Sequence, residues 1–306
     1  MTSLVVRIFE KSFRRLTLED EAWVQKLCEE DGGNGGHINY ISMFLCQDMY
    51  DDSFRKLAGC LIKKPYAVDK KLYCQCPIGT SENRKKAYGK LMKIYSKSYS
   101  EIVFFAGSDK NYEEMKDLFG DRITYVENSR ENQNYVLDTA EQINLQGSKF
   151  ADRRNKLRRF NKLNNWQYEE ITKANIDECL NINAEWYGRH AKGETVVGEQ
   201  KALITAFENY DKLNFHGGLI RIDGKTAGFC IGTPFNKDIY VCLFMKTDTE
   251  YRDSSIVLLH EFMQQNCVEY QYTNYSEDLG VPGLRKFKTM LHPAFMTPFY
   301  NVTINL

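Results

Sequence analysis

The sequence predicts an α/β protein with two successive domains, each a mixed sheet packed against helices. Its 306 residues exceed the usual size of one small domain. Hydrophobic residues make up 42% and aromatic residues 13%, enough to build buried cores. Segments with strand and helix periodicity alternate along the chain. We therefore expect domains over 1–145 and 146–306, the second opening with a basic connecting helix over 148–164.

The second half follows a clear order of elements. Its hydrophobic periodicity predicts strands at 166–172, 215–222, 225–235, 239–247, 272–276 and 295–304. Helices are predicted at 174–190, 199–212, 254–270 and from Pro282 onward. Asp223-Gly224 favours a two-residue hairpin, because glycine accepts a positive φ angle. The order β-α-α-β-β-β-α-β-α-β resembles that of the GNAT (acyl-CoA N-acyltransferase) fold.

The first half repeats this order loosely, without a repeat at the residue level. Strands are predicted at 13–16, 57–63, 71–77, 101–106 and 122–127. Helices are predicted at 18–30, 48–56, from Thr80 and at 111–119, and residues 128–165 join the halves. The sequence thus predicts two tandem GNAT-like domains.

Composition excludes several classes of protein. The 41 basic and 41 acidic residues cancel, so no net field attracts nucleic acid or anionic lipid. Nine scattered cysteines without a Cys-x-x-Cys pair favour buried thiols in a reducing compartment over disulfides or a metal site. We expect no transmembrane segment, no signal peptide and a cytoplasmic protein. The glycine-rich stretch 32–36 predicts a flexible loop that could act as a lid.

One segment, Asn274 to Pro293, carries a specific motif. It resembles a bacterial family related to the C-terminal domain of phosphatidylglycerol lysyltransferase, in which the pattern is Asn-Arg-Glu-Glu-Asp-Leu-Gly-x-x-Gly-Leu-Arg-Lys-x-Lys. The matching residues are Asn274, Glu277, Asp278, Leu279, Gly280, Gly283, Leu284, Arg285, Lys286 and Lys288.

Two further segments support the resemblance. A second match runs through Gly147, Phe150, Arg153, Arg154, Asn155 and Phe160. A weaker third match comprises Trp186, Glu199, Ala202, Asn209 and Leu213. The resemblance implies tandem GNAT folds similar in architecture to the Fem-type aminoacyl transferases.

The chain departs from its relatives at two places. Tyr275-Ser276 replaces the Arg-Glu of the family motif. The turn before the helix at 254–270 has no glycine, whereas acetyl-CoA-binding relatives use Arg/Gln-x-x-Gly-x-Gly/Ala there. Glycines let backbone amides approach a pyrophosphate, and Asp253 would repel one. This turn disfavours ordinary use of acetyl-CoA.

Three residues are candidates for catalysis. Acyl transfer needs a base for the attacking amine and an acid for the leaving group. Glu277 and Asp278 follow strand 272–276, where they could bind an amine or act as the base, and Tyr240 could be the acid. Alternatively, Asp278 caps the next helix, Glu277 pairs with Arg285, and Tyr240 belongs to the core.

Cations supply the candidates for substrate or donor binding. Arg285 and Lys288 share a helix face and could clasp a carboxylate or phosphate. Lys246, Tyr251 and Arg252 lie on the predicted strand 239–247 and in the turn after it. The alternative is that such charges form a solvated face and that the tyrosine is a core residue.

A third group of cations lies on the connecting helix. It comprises Arg153, Arg154, Lys156, Arg158, Arg159 and Lys162. One strongly positive face there could contact tRNA phosphates, a CoA-type donor or an anionic lipid headgroup. The alternative is a solvated connecting helix.

The sequence leaves two functions open. The first is an acyl or aminoacyl transferase that moves a group from aminoacyl-tRNA or an acyl thioester such as acyl-CoA onto an amine or hydroxyl. The acceptor would be a small molecule, a peptide or a lipid headgroup, with no tightly bound cofactor. The second is a non-catalytic GNAT-like protein that senses a nucleotide, a peptide or a lipid headgroup.

Overall fold

The chain forms two compact units. The structure is a computed structural model that describes residues 3–33, 35, 38–190 and 194–306. The first unit runs to Asn134 and also contains Thr297–Leu306, and the second is Tyr135–Met296. Asn34 and Gly36 of the predicted glycine-rich loop lie outside the described residues.

Helices and strands alternate along both units. The α-helices in the described residues are α1 (Leu4–Glu10), α2 (Glu21–Asp31), α3 (Tyr40–Cys46), α4 (Ser81–Tyr95), α5 (Asp109–Phe119), α6 (Thr139–Asn144), α7 (Ala151–Leu163), α8 (Ile176–His190), α9 (Glu194–Glu208), α10 (Ser254–Asn266) and α11 (Pro282–Met290). The strands are β1 (Phe54–Leu57), β2 (Cys60–Lys63), β3 (Tyr66–Val68), β4 (Lys71–Gln75), β5 (Glu101–Ala106), β6 (Ile123–Asn128), β7 (Tyr135–Asp138), β8 (Trp166–Glu170), β9 (His216–Ile222), β10 (Lys225–Pro234), β11 (Ile239–Thr247), β12 (Tyr272–Asn274), β13 (Phe295–Met296) and β14 (Tyr300–Asn305).

The first unit is built on a five-stranded sheet with the order β3-β4-β5-β14-β6. Helix α4 begins after Thr80, whose hydroxyl accepts a hydrogen bond from the Asn83 amide. Tyr88, Leu91 and Tyr95 form the buried face of α4, at the helical spacing that the sequence shows. A separate hairpin pairs β1 with β2.

The second unit is built on a seven-stranded sheet with the order β13-β7-β12-β11-β10-β9-β8. Strands β11 and β12 are parallel and the other pairs are antiparallel. Helix α10 packs its apolar residues, including Val257, Phe262 and Met263, into the core beside this sheet. Asp223 and Gly224 both have positive φ angles in the β9–β10 turn, as the predicted hairpin requires.

The mixed α/β architecture and the tandem GNAT-like order are confirmed. The final segment is the main difference, because the strand predicted over 295–304 is two strands in two different sheets. Strand β13 pairs with β7 in the second unit, whereas β14 lies between β5 and β6 in the first. The observed units therefore differ from the expected domains 1–145 and 146–306: β7 belongs to the second unit and β14 to the first.

Local differences occur near the N-terminus. A helix was expected over 48–56, but helix α3 lies earlier in the chain, at Tyr40–Cys46, and residues 54–57 form strand β1. Strand 13–16 is reduced to an isolated bridge between Arg14 and Phe54. Helix α1 was not predicted; it begins after Ser3, whose side chain caps it, and it buries Val6 and Phe9.

Candidate functional site

Strands β11 and β12 separate from each other in the second unit. They pair only from Ile239–Tyr272 to Val241–Asn274. Beyond this point β11 continues to Thr247, while the segment after β12 stays paired with β7. The Tyr275 amide donates to the Tyr135 carbonyl, and the Tyr135 amide donates to the Ser276 carbonyl. In this splay, the backbone edges of two parallel strands diverge after Val241 and Asn274.

Tyr275 fills the splay with its side chain. It is 7% exposed, and its hydroxyl lies 3.4 Å from the Met245 sulfur on β11. Its ring packs near Phe287 and joins the core cluster of the unit. The residue that departs from the family motif therefore closes the space between the two strands.

Asp278 is a buried structural carboxylate. The Arg285 guanidinium donates to both of its oxygens, at 2.9 and 2.8 Å, and the Tyr135 hydroxyl donates at 2.6 Å. The Gly280 amide adds a fourth hydrogen bond at 2.9 Å. The hydrogen bonds from Arg285 hold the pKa of Asp278 well below its usual range. Its burial and low pKa contradict a role as the base, and its carboxylate is a partner of Arg285.

Glu277 and Lys288 meet beside this carboxylate. Glu277 is half-buried, and its carbonyl accepts from the Lys288 ammonium at 2.6 Å. The Tyr275 carbonyl accepts from the same ammonium at 2.7 Å. Burial lowers the pKa of Lys288 to about 8. Lys288 therefore faces the interior instead of sharing an open cation face with Arg285.

Tyr240 lies in the core and not in the cleft. Its side chain is fully buried, and its ring packs edge-on against Phe262 and Tyr270. Its hydroxyl has no hydrogen-bond partner among the described residues, and burial raises its pKa. This placement contradicts the prediction that Tyr240 supplies the acid.

An ion pair lies at the N-terminus of α10. Asp253 precedes the helix with a positive φ angle of 70°. The Arg159 guanidinium binds its carboxylate, with Nε at 2.9 Å. Tyr251 is half-buried against the core, and Arg252 is exposed in the same turn. A helix N-terminus attracts a phosphate through its free amides, and here the Asp253 carboxylate places a negative charge beside them without binding them.

Lys246 stands in a cage of aromatic and acidic side chains. Its ammonium lies 2.9 Å from a Glu199 carboxylate oxygen, 4.1 Å from the centre of the Trp186 ring and 5.0 Å from that of Tyr187. The Tyr187 hydroxyl donates to the same carboxylate. Such a cage suits an alkylammonium group. Lys246, a predicted binding residue, thus contacts Trp186 and Glu199, two residues of the weakest sequence match.

The cations of α7 point in several directions. Arg153 is 1% exposed, and the Arg154 guanidinium donates to the carbonyls of Leu145 and Gly147. Arg159 is committed to Asp253, whereas Arg158 is exposed. The single strongly positive face expected for this helix is therefore not formed.

An open pocket of about 620 Å³ lies along α11. Its walls are formed by Gly280, Pro282, Arg285, Lys286, Thr289, Met290 and His292. The Lys156 ammonium of α7 lies 3.1 Å from the Met290 sulfur. The pocket is therefore bordered by two cations of α11, Arg285 and Lys286, and by the backbone of Gly280, groups that can bind an anion.

The sequence of the chain matches a known protein family. Residues 36–303 match the family described as phosphatidylglycerol lysyltransferase, C-terminal. The chain belongs to this family. Membership places it among proteins of the aminoacyl and acyl transferase type. None of the curated proteins matches the chain.

Solved structures share the fold. A conserved protein of unknown function from Bacteroides thetaiotaomicron is 23% identical with a TM-score of 0.84, over 96% of this chain and 99% of that one. The C-terminal domain of a putative lysylphosphatidylglycerol synthetase from Agrobacterium fabrum is 15% identical with a TM-score of 0.62, over 92% of each chain. FemX is 10% identical with a TM-score of 0.58, over 95% and 96%.

The described residues were also compared with the requirements of a metal site and of a membrane-spanning helix. Within them, no three His, Cys, Asp or Glu side chains lie close enough together to hold a metal ion. None of the helices in the same residues has the length and apolar character needed to cross a membrane.

Glu199 and Tyr187 were missed as site residues, although the spacing of Glu199 in the third family match was a usable signal.

Proposed function

We propose that the second unit transfers an aminoacyl group from aminoacyl-tRNA to an amine or hydroxyl of an acceptor. The observation that carries this proposal is the separation of β11 from β12 after Val241 in a chain of this family. Diverging parallel strands no longer pair their backbone groups with each other, and such groups can position an ester carbonyl.

The N-terminus of α10 supports aminoacyl-tRNA over acyl-CoA as the donor. The Asp253 carboxylate, paired with Arg159, lies beside the amides that a CoA pyrophosphate would need. A pyrophosphate placed there would meet a like charge. The acceptor we favour carries a phosphate, because the pocket along α11 is bordered by Arg285 and Lys286.

The proposed reaction uses few groups of the chain. The acceptor nitrogen or oxygen attacks the ester carbonyl of the donor, forming the new C–N or C–O bond. The bond to the ribose oxygen then breaks, and that oxygen takes up the proton that the attacking group has lost. Glu277 takes the proton of the attacking group, since Asp278 is held by Arg285 and Tyr240 is in the core.

The test is a transfer assay with radiolabelled aminoacyl-tRNA and vesicles that contain phosphatidylglycerol. We expect label to appear in the lipid, and Glu277→Gln to lower the rate by about 100-fold or more, the usual loss when a general base is removed. Glu269→Gln is the matched control, because Glu269 is exposed beyond the end of α10. Acetyl-CoA is the competing donor.

The outcomes separate the parts of the proposal. Transfer from acetyl-CoA but not from aminoacyl-tRNA would refute the donor. An unchanged rate for Glu277→Gln would refute the base. Transfer from neither donor would refute the enzyme and favour a ligand-binding protein, a second function that is supported by the Tyr275 side chain filling the splay.

A further inference from the structure

Arg153 carries a buried charge with incomplete partners. Its side chain is 1% exposed, and its Nη1 donates to the Gln142 side-chain oxygen. Its Nε and Nη2 have no hydrogen-bond acceptor among the described residues. Burial lowers its pKa to about 10. An unsatisfied buried cation is costly, so the fold retains Arg153 at the expense of stability.

The two free nitrogens lie on one edge of the guanidinium. Nε and Nη2 form the fork that binds the two oxygens of a carboxylate or phosphate side by side. Arg285 shows the same use within this unit: its Nε and Nη2 donate to the two oxygens of Asp278. Arg153 thus presents the same fork without its oxyanion.

A second buried cation lies across Tyr275. The Lys288 ammonium is 5.1 Å from the centre of the Tyr275 ring, and it donates to the backbone carbonyls of Tyr275 and Glu277. Tyr275 also lies close enough to Arg153 to act on its charge. The Glu277 and Asp278 carboxylates also act on the Lys288 ammonium, so the buried cation near Tyr275 that lacks acceptors is Arg153.

We propose that the free edge of Arg153 is an oxyanion-binding site behind the splay. It takes the carboxylate or phosphate group of a ligand, and Lys288 adds a second positive charge. The ring of Tyr275 covers the site and moves aside when the ligand enters between β11 and β12. The site is a property of binding and does not require the transfer reaction.

The experiment uses the full chain with inorganic phosphate and acetate as probes, at an ionic strength held constant with chloride. We expect phosphate, acetate or both to raise Tm in a saturable way, and calorimetry to give a matching Kd. Arg153→Met should weaken binding by about tenfold or more, as the loss of a charge-assisted hydrogen bond predicts. Without a probe, Arg153→Met should unfold at the same or a higher temperature than the wild type.

Arg154→Met is the matched control. Arg154 binds backbone carbonyls of the loop before α7, so its loss should leave the response to the probes intact. Response to phosphate alone identifies a phosphoryl ligand, and response to acetate alone identifies a carboxylate. No saturable response in the wild type, or an equal response in Arg153→Met, overturns the site. The transfer assay with Glu277→Gln is a separate measurement, so each proposal can fail alone.

Discussion

Asp278 shows how a carboxylate at the mouth of a cleft can serve the fold. Its oxygens accept from a guanidinium, a phenol and a backbone amide, and its side chain is buried. Arg285, in contrast, is 43% exposed and borders the open pocket. The pair therefore fixes the start of α11 and leaves one cation at the surface.

The first prediction concerns Asp278→Asn. The substitution should lower the free energy of unfolding by about 1–3 kcal/mol at neutral pH, less than for a fully buried pair because solvent screens Arg285. The pKa of Asp278 is lower in the folded state, so its contribution is present above about pH 4, the ordinary pKa, and is lost as pH falls further.

Urea unfolding at about pH 7 and about pH 3 measures this difference. The gap between wild type and variant should narrow at the lower pH, because the Asp278 carboxylate of the unfolded wild type takes up a proton there while that of the folded state stays ionised. Arg158→Gln is the control, since Arg158 is exposed on α7. A gap that is equal at both pH values would show that the charge of Asp278 contributes nothing.

At the scale of elements, a bulge shapes the strand beside the splay. The register between β10 and β11 shifts at Ile231 and Gly232. A Cβ at Gly232 would lie 2.3 Å from the Val241 carbonyl oxygen and 2.7 Å from the Tyr240 ring. Val241 is the last β11 residue that pairs with β12, so close packing at Gly232 supports the strand where the splay begins.

The second prediction concerns Gly232→Ala. The added methyl group should destabilise the protein by about 1–3 kcal/mol, because the backbone of β11 has to move away. Gly89→Ala is the matched control: Gly89 is within α4, and its Cβ would meet no atom within 4 Å. That control should gain about 0.5–1 kcal/mol. Equal effects of the two substitutions in thermal unfolding would contradict the packing argument.

At the scale of the whole molecule, the chain returns to the first unit after it has completed the second. Strand β7 lies between β12 and β13 of the second unit, although it precedes the basic helix. Strand β14 lies between β5 and β6 of the first unit, although it ends the chain. Both are interior strands, so removing either one breaks hydrogen bonds on two sides.

The third prediction compares fragments. Residues 135–296 should fold alone with a cooperative thermal transition, because they contain every strand of the second sheet. Residues 146–306 should not, because they lack β7, and residues 1–145 should not, because they lack β14. Circular dichroism and amide exchange measure this. A transition of equal cooperativity in 146–306 would contradict the observed division.

Much of the second unit could be predicted from its sequence. The helix starting at Ser254 and the hairpin at Asp223-Gly224 follow from local periodicity and turn chemistry, and both are present. The roles of charged residues could not be predicted in the same way. Whether Arg153 faces solvent or the core depends on α7 packing against a distant part of the chain.

The sequence alone determined the family, the tandem order of elements and the segment that borders the cleft. These properties depend on local patterns and on motif residues close together in the chain. The tertiary structure alone decided which sheet receives the last strand, which carboxylate binds Arg285 and what fills the splay. The physical reason is that strand pairing, ion pairing and burial depend on residues far apart in sequence: Tyr275 meets Met245, and β14 meets β5.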